Sequence, residues 1–289
     1  MPRRPVTSAD VERITLEGAE RARDLVAVEE PLQIVLEHGE AHARRESPLA
    51  VTMRSPGHDH DLVAGFLYSE GVISTGDDLV AIRNCLRSET PSNVVRAVLG
   101  TDVRVPAHLL ERSFTVTSAC GVCGERTLAA LEKAGCEALP FDDRAYEADA
   151  VRSAIGALGA AQTWFRHTGG THGAALFSED GSLLLHREDV GRHNALDKLV
   201  GAALYRDIPR GRGFVVVSSR ASFELVQKTV RARIPLMVAI GAPTSLAVDT
   251  AAHFGVTLVG FAKQARFNVY AGFDRISRDE HFIDVGAAE

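Results

Sequence analysis

The second half of the chain alternates short apolar runs with stretches of helical period. From residue 171 to residue 261 the pattern predicts strands at 171–177, 183–186, 213–218, 236–240 and 256–261, and helices at 190–205, 223–231 and 245–254. Strands that alternate with helices are typical of βαβ crossovers. The pattern therefore predicts an α/β fold in which helices cover a mostly parallel sheet.

The first third of the chain contains mainly strand patterns, with one helical period among them. It predicts strands at 32–36, 49–53, 80–86 and 94–99, and a helix at 59–71. A chain of 289 residues, of which 45% are hydrophobic, is long enough for two domains. We divide it into a flexible N-terminal segment (1–27), a small α+β domain ending in a cysteine-bearing loop and its helix (28–139), and an α/β domain (140–289).

Composition excludes several classes of protein. The formal net charge is −6, and both signs are interspersed, which argues against a general nucleic-acid binder but permits a local basic pocket. No apolar run approaches the roughly 20 residues that a membrane span needs. No apolar core follows the basic N-terminus, and cysteines are few, so we expect a cytoplasmic protein in a reducing compartment.

The candidate chemistry begins with Cys120 and Cys123, a C-x-x-C pair among glycines. It follows a strand-like run at 114–117 and precedes a helical pattern at 125–133. The positive end of a helix dipole favours a thiolate, which is the nucleophilic form of cysteine. The spacing therefore indicates sulfur chemistry, although a C-x-x-C pair is also half of a structural zinc site.

The zinc alternative requires more ligands than the spacing offers. Apart from the pair, the cysteines are Cys85 and Cys136, each solitary and without a histidine at ligand spacing. Cys136 could add a third ligand, but it follows Ala-Gly at an apparent helix end. We therefore expect no structural metal.

Three loops follow the predicted parallel strands, at the edge where α/β sheets bind ligands. All three carry hydroxyl groups or cations: 218–222, 241–245 and 261–268. Ser219, Arg220, Lys263 and Arg266 lie in them, and with backbone N–H groups they could converge on a phosphate or another anion. The alternative is that each loop only caps its helix and the cations are solvated.

Two further segments combine glycines with polar side chains. His172 lies in a glycine-rich turn at 168–174, where a ligand could approach the backbone. Arg192 and His193 lie within the dense polar segment 188–198, in the first turn of the long predicted helix. They are candidate ligand contacts, and the alternative is that the histidines are solvated or bonded to carbonyl groups.

These segments together closely resemble the formate dehydrogenase accessory sulfurtransferases, the FdhD family. The resemblance rests on Cys120-Gly-Val-Cys-Gly, Thr168-Gly-Gly-Thr-His-Gly-Ala, Glu188-Asp-Val-Gly-Arg-His-Asn-Ala-Leu-Asp-Lys, Ser219-Arg-Ala-Ser-Phe-Glu, Leu258-Val-Gly-Phe-Ala-Lys and Gly65-Phe-Leu-Tyr-Ser-Glu-Gly. It extends from about residue 28 to residue 276.

The resemblance implies a small N-terminal α+β domain, a C-terminal cytidine-deaminase-like three-layer α/β domain, and a homodimer. It also implies a sulfurtransferase that takes persulfide sulfur from a cysteine desulfurase. The sulfur passes to the molybdenum cofactor with two molybdopterin guanine dinucleotides, so that a formate dehydrogenase becomes active.

The family's cofactor segment corresponds here to Phe261, Ala262, Lys263, Gln264, Ala265 and Arg266. Many relatives have arginine where this chain has Lys263, a change that keeps the charge but loses a bidentate grip on phosphate.

Within that chemistry, Cys120 is favoured as the persulfide carrier, because the first cysteine of such a pair is usually the more accessible. Cys123 remains the alternative, and it could also resolve a persulfide as a disulfide. The competing function is a non-catalytic chaperone that binds and delivers the molybdenum cofactor. A zinc nucleoside deaminase fits poorly, because its motif needs a glutamate two residues after the histidine, and Ala174 is there.

Overall fold

The computed structural model describes residues 4–85, 93–110, 128, 132, 135–140 and 145–277. Cys120 and Cys123, the predicted sulfur carriers, lie outside the described residues. Within the described ranges, the first part of the chain forms β1 (Val6–Thr15), β2 (Gly18–Ala27), β3 (Glu30–His38), β4 (Arg45–Arg54), α1 (Asp59–Ser69), β5 (Leu79–Asn84), β6 (Val94–Leu99) and α2 (Ala107–Leu110). No helix in those ranges is long and apolar enough to span a membrane.

The N-terminal residues form a hairpin where the sequence led us to expect a flexible segment. Strands β1 and β2 pair antiparallel over their whole length. Arg13 lies 2.8 Å from Glu20 across the hairpin, and Arg23 lies 3.2 Å from Asp10. The hairpin is held by backbone pairing and cross-strand charges rather than by a buried face. Because the hairpin has no buried face, its sequence lacks the alternation of apolar and polar residues from which strands are predicted.

A four-stranded sheet, in the order β4-β3-β6-β5, forms the first core together with α1. Alternate residues of the two central strands are buried on one face: Leu32, Ile34 and Leu36 on β3, and Val95, Ala97 and Leu99 on β6. Leu62, Val63 and Leu67 of α1 pack against them. The strands and the helix predicted for this part of the chain are confirmed.

The second part of the chain contains β7 (Tyr146–Glu147), α3 (Ala148–Ala161), α4 (Thr163–Thr168), β8 (His172–Phe177), β9 (Leu183–Asp189), α5 (Arg192–Tyr205), β10 (Phe214–Val217), α6 (Phe223–Arg231), β11 (Leu236–Ala239), α7 (Ser245–Phe254), β12 (Thr257–Lys263), β13 (Arg266–Ala271) and β14 (Ile276–Ser277). Six of the strands form one sheet in the order β13-β12-β11-β10-β8-β9. The α/β class is confirmed.

The six-stranded sheet is parallel at its centre and antiparallel at both sides. Strands β10, β11 and β12 run parallel, whereas β8, β9 and β13 pair antiparallel with their neighbours. The reason is the length of the connections, since short turns join β8 to β9 and β12 to β13, and a parallel pairing needs a crossover of a dozen or more residues.

Successive residues of the central strands point into two different cores. Val215 and Val217 of β10 pack with α5, α6 and α7, while Phe214 and Val216 pack with α3 on the other face. This alternation of buried positions follows from the two-residue period of a strand. The result is three layers, with helices on both faces of the sheet.

The two sheets are connected through the packing of α1 against α5. A Cβ atom added to Gly201 of α5 would overlap the carbonyl oxygen of Asp61 and lie 2.6 Å from the amide nitrogen of Gly65. A Cβ atom on Gly65 would lie 2.9 Å from the amide nitrogen of Gly201. The two glycines thus allow the helix backbones to touch, which fixes the position of α5 against α1.

Candidate functional site

The candidate site lies at one edge of the six-stranded sheet. Strands β10, β11 and β12 are parallel, so their carboxyl ends share that edge. Strand β8 is antiparallel to β10, which brings its first residue, His172, to the same edge. His172 pairs with Asp189, the last residue of β9, immediately before the turn that leads to α5. The strand order therefore brings the three predicted loops and both polar segments together.

Main-chain hydrogen bonds join the loops at this edge. The Gly241 amide donates to the Ser219 carbonyl at 3.0 Å, and the Phe261 amide donates to the Gly241 carbonyl at 3.0 Å. Gly241 is required at this position, because a Cβ atom there would lie 2.9 Å from the Cα atom of Arg220. Gly241 thus links the loop of Ser219 and Arg220 to the loop that begins at Phe261.

The loop after β10 also contacts the glycine-rich turn that contains His172. The Gly173 amide donates to Ser218 Oγ at 2.9 Å, and the Ser218 amide donates to the Gly173 carbonyl at 2.9 Å. Ser219 is buried and Arg220 is exposed. The edge therefore runs continuously from His172 through Arg220 to Phe261.

Arg192 and His193 begin helix α5 at this edge, and each has a buried nitrogen atom without a partner. Arg192 Nε and His193 Nε2 make no hydrogen bond with any described residue. Buried polar groups in folded proteins are nearly always hydrogen-bonded, so two neighbouring exceptions need an explanation. A polar ligand that reached these atoms from the sheet edge would supply acceptors for both.

The histidines at this edge are held neutral. Burial is the main cause that lowers the pKa of His193 to about 4, and the nearby charges of Arg192 and Lys228 lower it further. Burial also lowers the pKa of His172, as does the Arg192 charge, while Asp189 opposes them. Neutral imidazole rings offer a hydrogen bond without adding charge to the site.

We expect the protonation of His193 to oppose folding. In the unfolded chain His193 titrates near its ordinary pKa of about 6.5, whereas the folded value is about 4. Between pH 6.5 and pH 4 the unfolded state binds a proton on His193 that the folded state does not bind. The free energy of unfolding therefore falls as the pH drops through this range, by at most about 3 kcal/mol. Urea denaturation across this range checks the prediction: His193→Gln should show a smaller fall than the wild type. Equal falls would contradict it.

The predicted cofactor segment, residues 261–266, is a bent hairpin rather than the loop that the sequence led us to expect. Strand β12 continues to Lys263, which pairs with Arg266 at the start of β13, so only Gln264 and Ala265 form the turn. Lys263 and Arg266 are exposed, and no described residue forms an ion pair with either. The end of the hairpin therefore presents two free cations.

The other members of this segment face in different directions. Ala262 is buried in the core beneath α3, and Gln264 packs against Gly156 of that helix. Phe261 is 48% exposed and has a left-handed backbone, with φ of 50°. A bulky residue in that conformation is strained, and such residues cluster at functional sites. Phe261, Lys263 and Arg266 are thus the members of the segment whose side chains are accessible.

Most of the polar segment 188–198 forms a buried network instead of lining the site. Glu188 accepts hydrogen bonds from the amides of Trp164 and Phe165 at the start of α4. Asp189 lies 2.6 Å from Lys198, and both side chains are fully buried. Asp197 pairs with Lys228 at 2.9 Å. The sequence suggested a ligand site from the density of this segment, but only Arg192 and His193 keep unpartnered nitrogen atoms there.

The chain that follows the C-x-x-C pair contacts α7, the helix that begins at the site edge. Leu128 packs against the core beneath α6 and α7, and Glu132 Oε1 lies 2.7 Å from His253 Nε2. Cys136, considered above as a zinc ligand, is buried, and burial raises the pKa of its thiol, although the neighbouring Arg231 opposes this. The described residues around the cysteine pair are therefore anchored on the helices of the second domain.

Residues 27–277 match the model of the FdhD/NarQ family. This range covers both sheets and every accessible residue of the edge described above. The chain belongs to the FdhD/NarQ family. Most of the N-terminal hairpin precedes the matched range, so the candidate site lies entirely within the part shared with the family.

Relatives within the FdhD/NarQ family are similar over most of their length. A Streptomyces coelicolor protein named "Sulfur carrier protein FdhD" is 46% identical over 90% of this chain and 92% of its own. A Mycobacterium tuberculosis protein of the same name is 42% identical over 88% of this chain and 92% of its own. The crystal structure of a putative formate dehydrogenase accessory protein from Desulfotalea psychrophila has a TM-score of 0.74 at 24% identity. The match covers 95% of this chain and 100% of that one, and it supports the fold.

Proposed function

We propose that this protein is a sulfurtransferase that serves formate dehydrogenase maturation. In this proposal it takes persulfide sulfur from a cysteine desulfurase and delivers it to the molybdenum cofactor with two molybdopterin guanine dinucleotides, which is its substrate. Membership of the FdhD/NarQ family and relatives named as sulfur carriers support the sulfur-carrying role. A cytoplasmic homodimer without a resident metal fits this role.

The observation that carries the proposal is the pair of unpartnered nitrogen atoms at the sheet edge. Arg192 Nε and His193 Nε2 are buried and lack acceptors among the described residues. The guanine dinucleotide arms of the cofactor have phosphate and carbonyl oxygens that accept hydrogen bonds from such donors. Charge-assisted hydrogen bonds to phosphate are among the strongest that a protein makes. The edge therefore fits a large anionic ligand.

Phe261 adds a planar contact surface to the same edge. Its side chain is half-exposed, and its strained backbone is held by the hydrogen bond from its amide to the Gly241 carbonyl. Both the guanine and the pterin parts of the cofactor are flat ring systems, and aromatic rings stack on such surfaces. We infer that Phe261 holds one of these rings while Lys263 and Arg266 face the phosphates.

The sulfur steps balance if the two cysteines act together. The Cys120 thiolate attacks the outer sulfur of the donor persulfide, and the desulfurase cysteine leaves as its thiolate. Cys123 then attacks the inner sulfur of the Cys120 persulfide, which releases hydrosulfide and leaves a Cys120–Cys123 disulfide. The hydrosulfide binds the molybdenum in exchange for an oxygen ligand, which leaves as water. The pair supplies the two electrons that reduce the transferred sulfur. A cellular dithiol or glutathione must reduce the disulfide before the next cycle.

A cofactor chaperone is the second candidate, because the described part of the chain accounts for binding alone. In that case the edge binds and delivers the cofactor, and the cysteines are incidental. The two candidates predict the same effect of changes at the sheet edge, but different effects of changes at the cysteines. Transfer of labelled sulfur separates them.

Removing the two free cations of the hairpin end should weaken binding of guanosine diphosphate, the simplest probe of this site. Each charge-assisted contact contributes about 1.5–3 kcal/mol. We therefore expect Lys263→Ala with Arg266→Ala to raise the Kd by at least tenfold, as measured by titration calorimetry at fixed ionic strength.

The matched control replaces two exposed arginines at the opposite edge of the six-stranded sheet, where the parallel strands begin. Arg206 follows α5 and Arg212 precedes β10, and both side chains are exposed. Arg206→Ala with Arg212→Ala should leave the Kd within about twofold. Equal affinities of the two double variants would contradict the assignment of the hairpin end to the binding site.

A further inference from the structure

Ser55, in the first domain, uses all of its polar groups on the segment that leads to Arg192 and His193. It follows β4 and is fully buried. Its amide donates to Asp189 Oδ2 at 3.1 Å, and its carbonyl accepts from Lys198 Nζ at 2.9 Å. Its Oγ atom accepts from the Val190 amide at 3.2 Å. One residue of the first domain thus contacts Asp189 and Val190, at the start of the turn, and Lys198 in the helix behind it.

The turn between Asp189 and Arg192 is also held by hydrogen bonds of its own residues. Asp189 Oδ1 accepts hydrogen bonds from the Gly191 amide at 2.9 Å and from Asn194 Nδ2 at 3.3 Å. These two bonds link the start of the turn to the first turn of α5. Gly191 is the N-cap of α5, and its carbonyl accepts the first helical hydrogen bond, from Ala195. The direction in which Arg192 and His193 leave the turn therefore depends on where Val190 is held.

We propose that Ser55 is a positioning residue for the candidate site, and that its hydroxyl group sets the orientation of Arg192 and His193 through Val190. This rests on the proposed function only in taking that edge as the cofactor site. The first domain then contributes to binding without touching the ligand. The Met53 carbonyl, which accepts from Asn194 at 2.7 Å, supports the same turn from the same strand.

Replacing Ser55 by alanine removes only the hydroxyl group and leaves the backbone hydrogen bonds of residue 55 in place. Alanine at position 55 keeps the amide bound to Asp189 and the carbonyl bound to Lys198, so the buried ion pair stays intact. It leaves the Val190 amide without its acceptor, and an unsatisfied amide recruits water or shifts. Either change alters the start of α5, where His193 lies in the first turn, and the low pKa of His193 depends first on burial.

The test compares Ser55→Ala with Ser69→Ala. Ser69 is also a buried serine of the first domain, and its Oγ donates to Asp197 Oδ1 at 2.8 Å, behind the middle of α5. Both variants lose one hydrogen bond between the domains. We expect Ser55→Ala to raise the pKa of His193 toward its ordinary value and to weaken guanosine diphosphate binding about fivefold, as one lost hydrogen bond predicts. Ser69→Ala should change neither.

The pKa is read from labelled histidine signals in NMR titrations of the full chain, with His193→Gln used to assign the His193 signal. An unchanged His193 pKa in Ser55→Ala, or an equal change in Ser69→Ala, overturns the positioning role.

If the wild type does not bind guanosine diphosphate, the proposed function fails, and the His193 pKa alone decides the role of Ser55. Should Ser55→Ala fail to fold, Ser55→Thr, which keeps an acceptor oxygen, should fold and retain the low pKa, and a raised pKa there overturns the role as well.

Discussion

Cys120→Ala is expected to abolish persulfide loading completely while the protein remains folded. In the proposed transfer, Cys120 supplies the thiolate that attacks the donor persulfide, and alanine has no nucleophile. Glycine and small residues flank the pair, so the side chain should contribute little to the core. After incubation with a cysteine desulfurase and cysteine, mass spectrometry of the wild type should show an added sulfur atom on the peptide containing residue 120, and the variant should show none.

Two other cysteine variants serve as controls. Cys85→Ala should load sulfur like the wild type, because Cys85 lies in the first sheet region and has no part in the proposed transfer. Cys123→Ala should load sulfur but accumulate the persulfide, since the second thiol is needed to release it. A sulfur adduct on Cys123 in the Cys120→Ala variant would instead make Cys123 the carrier.

Gly201→Ala is expected to destabilise the protein by about 2 kcal/mol or more. The new Cβ atom would overlap the Asp61 carbonyl oxygen, so α1 and α5 would have to separate along their whole contact. Overpacking of this kind typically costs about 1–3 kcal/mol, and a clash with backbone lies at the upper end. The helix preference of alanine returns at most about 1 kcal/mol. Urea denaturation measures the difference in the free energy of unfolding.

Gly159→Ala is the matched control for Gly201→Ala. Gly159 is also inside a helix, α3, but nothing lies within 4 Å of the position that its Cβ atom would take. Alanine there should stabilise the protein by about 0.5–1 kcal/mol. If both variants change stability by the same amount, the close contact between α1 and α5 does not fix the position of α5.

The second domain could be predicted from sequence because its strands are buried on both faces. Runs such as Phe214–Val217 and Leu236–Ala239 are continuously apolar, and helices with a clear period separate them. The N-terminal hairpin could not be predicted, since its stability comes from pairing between strands and from Arg13–Glu20 and Arg23–Asp10. Cross-strand contacts depend on register, which a single strand's pattern does not contain.

The position of the candidate site could also be predicted, but the roles within it could not. The carboxyl ends of parallel strands meet at one edge, so loops carrying Arg220 and Phe261 had to lie together. In contrast, the charged residues of segment 188–198 look alike in sequence, although Asp189 and Lys198 form a fully buried ion pair. The packing of the first domain distinguishes these two residues from Arg192 and His193, because Ser55 binds Asp189 through its amide and Lys198 through its carbonyl.

Whether this protein itself carries sulfur to the cofactor is tested most directly by a single-turnover transfer. The protein, loaded with radiolabelled sulfur and freed of desulfurase, is mixed with the molybdenum cofactor. We expect the label to leave the protein and appear on the cofactor in a one-to-one ratio, and a Cys120–Cys123 disulfide to remain. Cofactor that binds the loaded protein and is released without label would contradict the sulfur-carrying role and favour the chaperone.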